Sequence, residues 1–326
     1  MAQFLHVFPA ILTMKFIIIW FCLLFCAFPK AQTRSSIETA DIRHFWYAFD
    51  MLENAKSFDD SVTIIQREYI DKATPGFREF IRLRNLTAQE YARLIRHFPG
   101  FWRSIRNETL KVSERIAEIE DLLDKYETSL PNFKQPDICF AIGCLRTGGT
   151  ISGDLILIGT EIAASTPETD TTRLSPWLKS VIGQVGDIVD MVAHETIHTQ
   201  QREKDLKNLA EFALNEGIAD FLSEQVTGLN INRRIHAYGL ANDCTLKKEF
   251  LMDYQKDKKD ITGWLYNGNK AITRPADLGY YIGYRIAEDY YTRAKDKQKA
   301  LADLLDTRKY MKIFNTSSYL KSSCPP

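Results

Sequence analysis

The 326-residue chain has no surplus of either charge: Lys+Arg and Asp+Glu are 42 each, and the formal net charge is +0. A protein that grips nucleic acid through its phosphates needs a basic excess, so the composition argues against a nucleic-acid partner. The longest unbroken apolar run, Phe16 to Phe28, falls short of the roughly 20 residues that a membrane-spanning helix takes, although residues 4–14 before it are also fairly apolar. Cysteine is sparse, 6 in all, and no pair is spaced as CxxC, which argues against a cysteine-built zinc site. The glycine-rich stretch Thr147–Asp154 lacks the Lys-Ser/Thr that would hold nucleotide phosphates, so it is not a phosphate loop. There is no internal repeat and no low-complexity domain. What remains, 45% hydrophobic and 26% charged residues, is ordinary globular composition and rules out wholesale disorder or a fibrous chain.

The start differs from the rest. The apolar run Phe16 to Phe28 follows Lys15 and leads to the small residues Ala27 and Ala31. It is short for a span and right for a signal-peptide core. The expectation is a signal peptide over residues 1–32, read from Met14, with an uncleaved anchor as the alternative. The protein is then exported, whether periplasmic, envelope-associated or extracellular, and touches a membrane only through the leader if that is retained. Four cysteines follow: Cys139, Cys144, Cys244 and Cys324. An even count in an exported chain permits two disulfides, for which Cys139–Cys144 and Cys244–Cys324 is one pairing. Four free thiols are the other reading. Asn85, Asn107 and Asn315 each head a glycosylation sequon.

Residues 33–130 read as a helical N-terminal region, with apolar residues recurring at three- and four-residue spacing through Ile42, Phe45, Trp46, Phe49 and Leu52. Thr87 followed by Glu90 is a capping-box pattern that opens a helix at Ala88. The period then changes. Asp137 to Leu145 and Leu155 to Thr160 look like strands, and the turn-rich Thr147–Asp154 between them reads as a hairpin loop. From about Ile188 helices dominate again, the strongest over 188–203, 206–227 and 278–294. Helices before and after a small sheet make the chain α+β. Residues 131–326 are expected to form one domain.

The helix at Ile188 carries His194-Glu195-Thr196-Ile197-His198. Two histidines four apart lie on one helical face, one turn above each other, so both imidazoles reach a single ion. This is the HExxH arrangement, in which the histidines bind zinc and the glutamate, here Glu195, is the general base. A catalytic zinc needs a third protein ligand and an open position. Asn215-Glu216-Gly217-Ile218-Ala219-Asp220 follows on the next helix, after a gap that lets an antiparallel helix return to the metal. Glu216 is the candidate third ligand. Asp220, four residues on, shares its face and is placed to accept the outer N–H of a ligand histidine. A largely apolar helix bearing two carboxylates wants a partner for them.

These two motifs resemble those of the gluzincins, the thermolysin-like zinc peptidases, and most closely the predicted zinc-dependent proteases of bacterial envelopes. That group is similar also in a glycine-rich strand segment before the HExxH helix, here Gly148-Gly149 with Ser152-Gly153. A further shared segment is Gly279-Tyr280-Tyr281-Ile282-Gly283-Tyr284. The resemblance covers about residues 138–294. It implies a zincin-like domain with a small mixed sheet, one Zn2+ ion, and a peptide or protein substrate hydrolysed at an amide bond. It implies also that the strand near Ile142 to Leu145 pairs with an extended peptide.

Negative charge developing on the substrate carbonyl needs a donor besides the metal. Tyr280 and Tyr284 are candidates, because a phenol donates to an oxyanion; packing is the alternative for both, and His236 is a rival donor. No exopeptidase motif stands out, so the choice between endo- and exopeptidase stays open. The competing function is a zinc-binding envelope assembly or interaction protein without turnover. Glu195 speaks against it, since a sealed structural zinc site has no use for a base.

Overall fold

The two most continuously apolar stretches after the leader lie side by side at the centre of a small sheet. The computed structural model describes residues 35–183, 187–202, 205–268, 270–271 and 273–322 besides Met1. The expected signal peptide and Cys324 lie outside these residues. The sheet consists of β1 (Ile37–Glu38), β2 (Asp137–Ala141), β3 (Gly149–Ser152) and β4 (Leu155–Gly159), in the order β1-β2-β4-β3. β2 is parallel to β1 and to β4; β3 is antiparallel to β4.

This departs from the sequence expectation in one respect. The stretch expected as a loop contributes a strand of its own, so β2 and β4 are parallel neighbours and the hairpin is β3–β4. Gly149-Thr150-Ile151-Ser152 carries little apolar signal because β3 is an edge strand, only half-buried, and needs none on its outer side.

Helices flank the sheet. Before it come α1 (Ala40–Met51), α2 (Phe58–Ile65), α3 (Pro75–Arg84), α4 (Ala88–His97), α5 (Pro99–Leu110) and α6 (Ile116–Ser129). After it come α7 (Thr160–Ala163), α8 (Pro176–Val181), α9 (Ile188–Gln200), α10 (Leu209–Thr227), α11 (Arg233–Ala241), α12 (Asp243–Lys256) and α13 (Gly279–Arg293). The last are α14 (Lys297–Leu304), α15 (Tyr310–Thr316) and α16 (Ser318–Lys321). All belong to one compact unit, residues 34–326, around one core. Among the described residues no helix is long and apolar enough to cross a membrane.

The two faces of the sheet are covered from different parts of the chain. Gly76 of α3 lies over Cys139 and Leu155, whereas Gly149 lies against Glu195 of α9. Directly paired residues share a face, so Ser152 and Thr150, opposite Leu155 and Leu157, face the α3 side. Gly149 and Ile151, opposite Ile158 and Ile156, face the α9 side. α10 in turn packs on α13 with unusual closeness: a Cβ on Gly217 would lie 2.1 Å from the Tyr284 nitrogen, and one on Gly283 would lie 1.8 Å from the Ala213 carbonyl oxygen. Only glycine lets the two backbones touch there.

The cysteines correct one expectation. Cys139 and Cys144 are buried free thiols, not a local bridge. Cys139 points from β2 onto α3, while Cys144 sits in the turn that leaves β2. Cys244 is disulfide-bonded.

The turn after β2 places two consecutive non-glycine residues in the left-handed region, Cys144 (φ 58°) and Leu145 (φ 54°). Fully buried Glu161 holds it by accepting the N–H groups of Gly143 at 2.8 Å and Leu145 at 2.7 Å. Burial raises its carboxyl from 4.5 to about 7, against the pull of those N–H groups. Its stabilising contribution is therefore full below pH 4.5 and lost as pH rises through about 7. Glu161→Gln turns an NH2 group toward one of two N–H donors. We expect a loss of about 1–3 kcal/mol in urea denaturation below pH 4.5, together with the disappearance of the slope of stability between pH 4.5 and 7. An unchanged midpoint would show that the Glu161 carboxyl group does not hold the turn.

Candidate metal centre

α9 is buried over nearly its whole length, its polar residues included, which puts both of its histidines in the interior. Its start is fixed by a capping box: Asp187 accepts the N–H groups of Val189 and Asp190, and Asp190 accepts that of Asp187. α10 begins at the Asn208 cap and ends at Gly228, whose φ of 77° is the left-handed stop that suits glycine. The two helices carry the site between them.

The sequence-expected ligands converge. His194 Nε2 and His198 Nε2 are 3.0 Å apart; Glu216 Oε2 is 3.2 Å from the second and 3.5 Å from the first. Among the described residues His194, His198 and Glu216 form the group able to hold a metal ion, and all three are buried. The outer ring nitrogens are already engaged. His194 Nδ1–H donates to Asp220 Oδ1 at 2.8 Å. His198 Nδ1–H donates to Gln201 Oε1 at 2.7 Å, and that amide is oriented by its own bond to the Asn215 carbonyl at 2.7 Å. With the Nδ1 protons so placed, both Nε2 atoms present lone pairs to each other and to a carboxylate.

Three acceptors facing one another are mutually repulsive unless a cation lies among them. The spacing suits one: a tetrahedron with ligand bonds of about 2.0–2.1 Å has edges of roughly 3.3 Å. Burial pulls His194 down, but Asp220 and Glu216 push it well above 6.5. Burial likewise raises Glu216, and His198 with His194 more than reverses that, leaving it well below the carboxylate range.

Asp220 does what its spacing suggested, and more. It is fully buried and accepts from His194, from Asn232 Nδ2 at 2.9 and 3.1 Å, and from His236 Nε2 at 2.7 Å. Burial raises its carboxyl, yet the bonds from His194 and His236 bring it down to about 2. His236, considered as an oxyanion donor, is thus committed behind the metal ligands.

Glu195 lies beside the ligand trio, one residue past His194, and packs on β3: a Cβ at Gly149 would come 2.5 Å from its Oε1. Both residues line a cleft of about 820 Å³ together with the three ligands, Arg84, Tyr266 and Tyr280. Tyr280 stacks on the His194 ring at 6.1 Å between centroids. Burial, then the Glu216 charge, holds its phenol well above 10, so it stays a donor. Tyr284 does not line the cleft. One turn further along α13, it packs edge-on against His236 at 4.6 Å and Phe221 at 5.5 Å.

Sequence reading missed Tyr266. Its hydroxyl donates to Glu216 Oε1 at 2.6 Å, the oxygen turned away from the histidines. The residue is 60% exposed and has a left-handed φ of 52°. Its loop is closed at the neck by reciprocal bonds, Asn267 N–H to Asp277 Oδ1 at 3.2 Å and Asp277 N–H to Asn267 Oδ1 at 2.9 Å. No periodicity announces such a contact. The adjacent Asn267-Gly268 turn signal is the one local hint.

A family model described as "Predicted Zn-dependent protease (DUF2268)" matches residues 161–308. At a coarse level the matched stretch is similar to a family of predicted zinc-dependent proteases. The matched stretch holds α9, α10 and α13, hence every candidate ligand and Tyr280, but none of the four strands. Searches of curated proteins and of solved structures return no match.

Metal affinity should follow the layers of the site. Glu216→Ala is expected to weaken zinc binding at least 1,000-fold, roughly the loss of one of three ligands. Asp220→Asn and Tyr266→Phe are expected to cost roughly 10–100-fold each, as for groups that orient ligands. Competition with a chromogenic chelator measures all three; wild-type affinity in Glu216→Ala would remove the carboxylate from the ligand set.

Proposed function

We propose that the chain is an exported zinc peptidase of the gluzincin type, in a zincin-like fold. It binds one zinc ion through His194, His198 and Glu216 and uses Glu195 as general base on a peptide bond. The observation that carries this reading is the three-membered acceptor cluster with a separate buried glutamate beside it. A sealed structural zinc takes four protein ligands. The group here offers three among the described residues and opens onto a cleft, which favours turnover over the alternative of a zinc-binding assembly protein. Export rests on the leader sequence alone.

A zinc ion in this position supplies Lewis acidity, polarising a substrate carbonyl and acidifying a water. The protein's own groups do the rest. Glu195 takes the proton of the attacking water and delivers it to the leaving amine. Tyr280, kept protonated and stacked over His194, is the donor for the developing oxyanion. Asp220 and Gln201 hold the two imidazoles with their lone pairs inward.

The substrate strand is assigned differently from the sequence expectation. Ile142, at the end of β2, is buried and its carbonyl accepts from the hydroxyls of Tyr69 and Tyr91, so the 142–145 segment has no edge to offer. β3 has one. The Gly159 N–H donates to the Gly148 carbonyl at 2.9 Å, and antiparallel alternation then turns the backbone N–H groups of Gly149 and Ile151 outward. An extended peptide added there lies along the α9 face, with its scissile bond level with Glu195.

Two variants test this reading. Glu195→Gln should retain one zinc per chain by atomic absorption and lose hydrolysis of an unfolded protein mixture by roughly 100- to 10,000-fold. Full chelator-sensitive hydrolysis in that variant means that another group is the base. Gly149→Ala pushes a methyl group into Glu195; with zinc retained, kcat is expected to fall about 100-fold, the scale of a displacement of about 1 Å. An unaltered kcat would show that the base need not rest on β3.

A further inference from the structure

Three cationic side chains line the cleft: Arg84, Arg146 and Lys270. Arg146 is spoken for, since its Nη2 is 2.6 Å from Glu90 Oε1. Lys270 is exposed at the rim. Arg84 is different. It is half-buried, it forms no hydrogen bond or ion pair with any described residue, and its Nε is buried with no partner. A guanidinium carries five donors in a planar fork and is always charged. Withdrawing it from water without an acceptor is costly, and such a group is normally paired.

The neighbourhood does not supply the pair. Of the acids lining the cleft, Glu216 is taken by the histidines and Tyr266, and Asp277 by the Asn267 N–H. Glu195 acts on Arg84 only through its charge, which partly offsets the lowering by burial. Both side chains line the same cleft.

Its position is built. Arg84 ends α3, where Asn85 stops the helix with a left-handed φ of 51°. α3 lies on the sheet face opposite α9 and is tied to the edge strand by the bond from Ser152 Oγ to Glu79, which Arg82 also holds. Arg84 thus lines the cleft although its helix packs on the sheet face opposite α9.

We propose that Arg84 binds a substrate carboxylate next to the scissile bond, so that the cleft selects peptides bearing an acid there. The proposal rests on the peptidase reading and narrows its substrate class. A neutral peptide carbonyl would leave the charge uncompensated, whereas a carboxylate matches the fork with two parallel bonds. The carboxylate is either the peptide's C-terminus or an Asp or Glu side chain.

The test uses the zinc-loaded chain and peptides in matched pairs. One pair differs as free C-terminal acid against amide. The others differ as Glu against Gln at the two positions on each side of the cleaved bond. In the wild type one pair should favour the acid by 10- to 100-fold in kcat/KM, the scale of a charge-assisted bidentate contact. That pair identifies the source of the carboxylate. The ratio should fall close to one in Arg84→Met and be partly restored in Arg84→Lys, with thermal melts showing that both variants fold. Calorimetric binding of the same pairs to zinc-loaded Glu195→Gln gives a readout that needs no turnover. Acid preference in binding without cleavage by the wild type would overturn the peptidase reading and keep Arg84 as an anion site. Cleavage with no acid preference, or a preference that survives Arg84→Met, overturns the role of Arg84. The absence of both binding and cleavage overturns both.

Discussion

Two imidazole nitrogens and a carboxylate oxygen held within 3.5 Å of one another, their outer protons already donated elsewhere, cannot rest together without a positive charge among them. The architecture around α9 and α10 serves that enforced proximity. Asp220 and Gln201 fix the rings from behind; Asn232 and His236 fix Asp220 in turn. The contact of Gly217 with Gly283 keeps α10, and Glu216 with it, pressed between α9 and α13. A side chain at either glycine would have to lever the helices apart.

The cleft is assembled from both ends of the sequence. α9, α10, the Tyr266 loop, the first turn of α13 and β3 all line it, joined by Arg84 of α3. The helical N-terminal region is thus part of the working surface, through Arg84 and through the Glu79–Ser152 tie. That region lies outside the stretch matched by the zinc-protease family model. The candidate ligand cluster and Arg84 therefore come from different portions of the chain.

What could be read from the sequence follows the range of each interaction. His194, His198, Glu216 and Asp220 were legible because a four-residue interval on a helix is a statement about one face, and helices are local. Tyr280 and Tyr284 obey the same interval, yet only Tyr280 reaches the cleft, since the cavity ends after the first turn of α13. Arg84, Tyr266 and Asn232 were not legible. They arrive from distant helices and loops, and nothing in their own neighbourhoods marks them. β3 escaped notice because a half-exposed edge strand of glycine, threonine and serine carries no strand-like apolar alternation. The close spacing of Cys139 and Cys144 suggested a bridge, but β2 and the turn after it send the two thiols to separate parts of the core.

The separation along the chain between the bonded groups has a kinetic corollary. The bonds that shape the ion site close over short distances, 18 residues from His198 to Glu216 and 26 from His194 to Asp220. The tie that sets the substrate wall spans 73, from Glu79 to Ser152. Local closures cost less chain entropy and form sooner. On refolding, the candidate metal ligands are therefore expected to gather before the Glu79–Ser152 tie fastens α3 to β3.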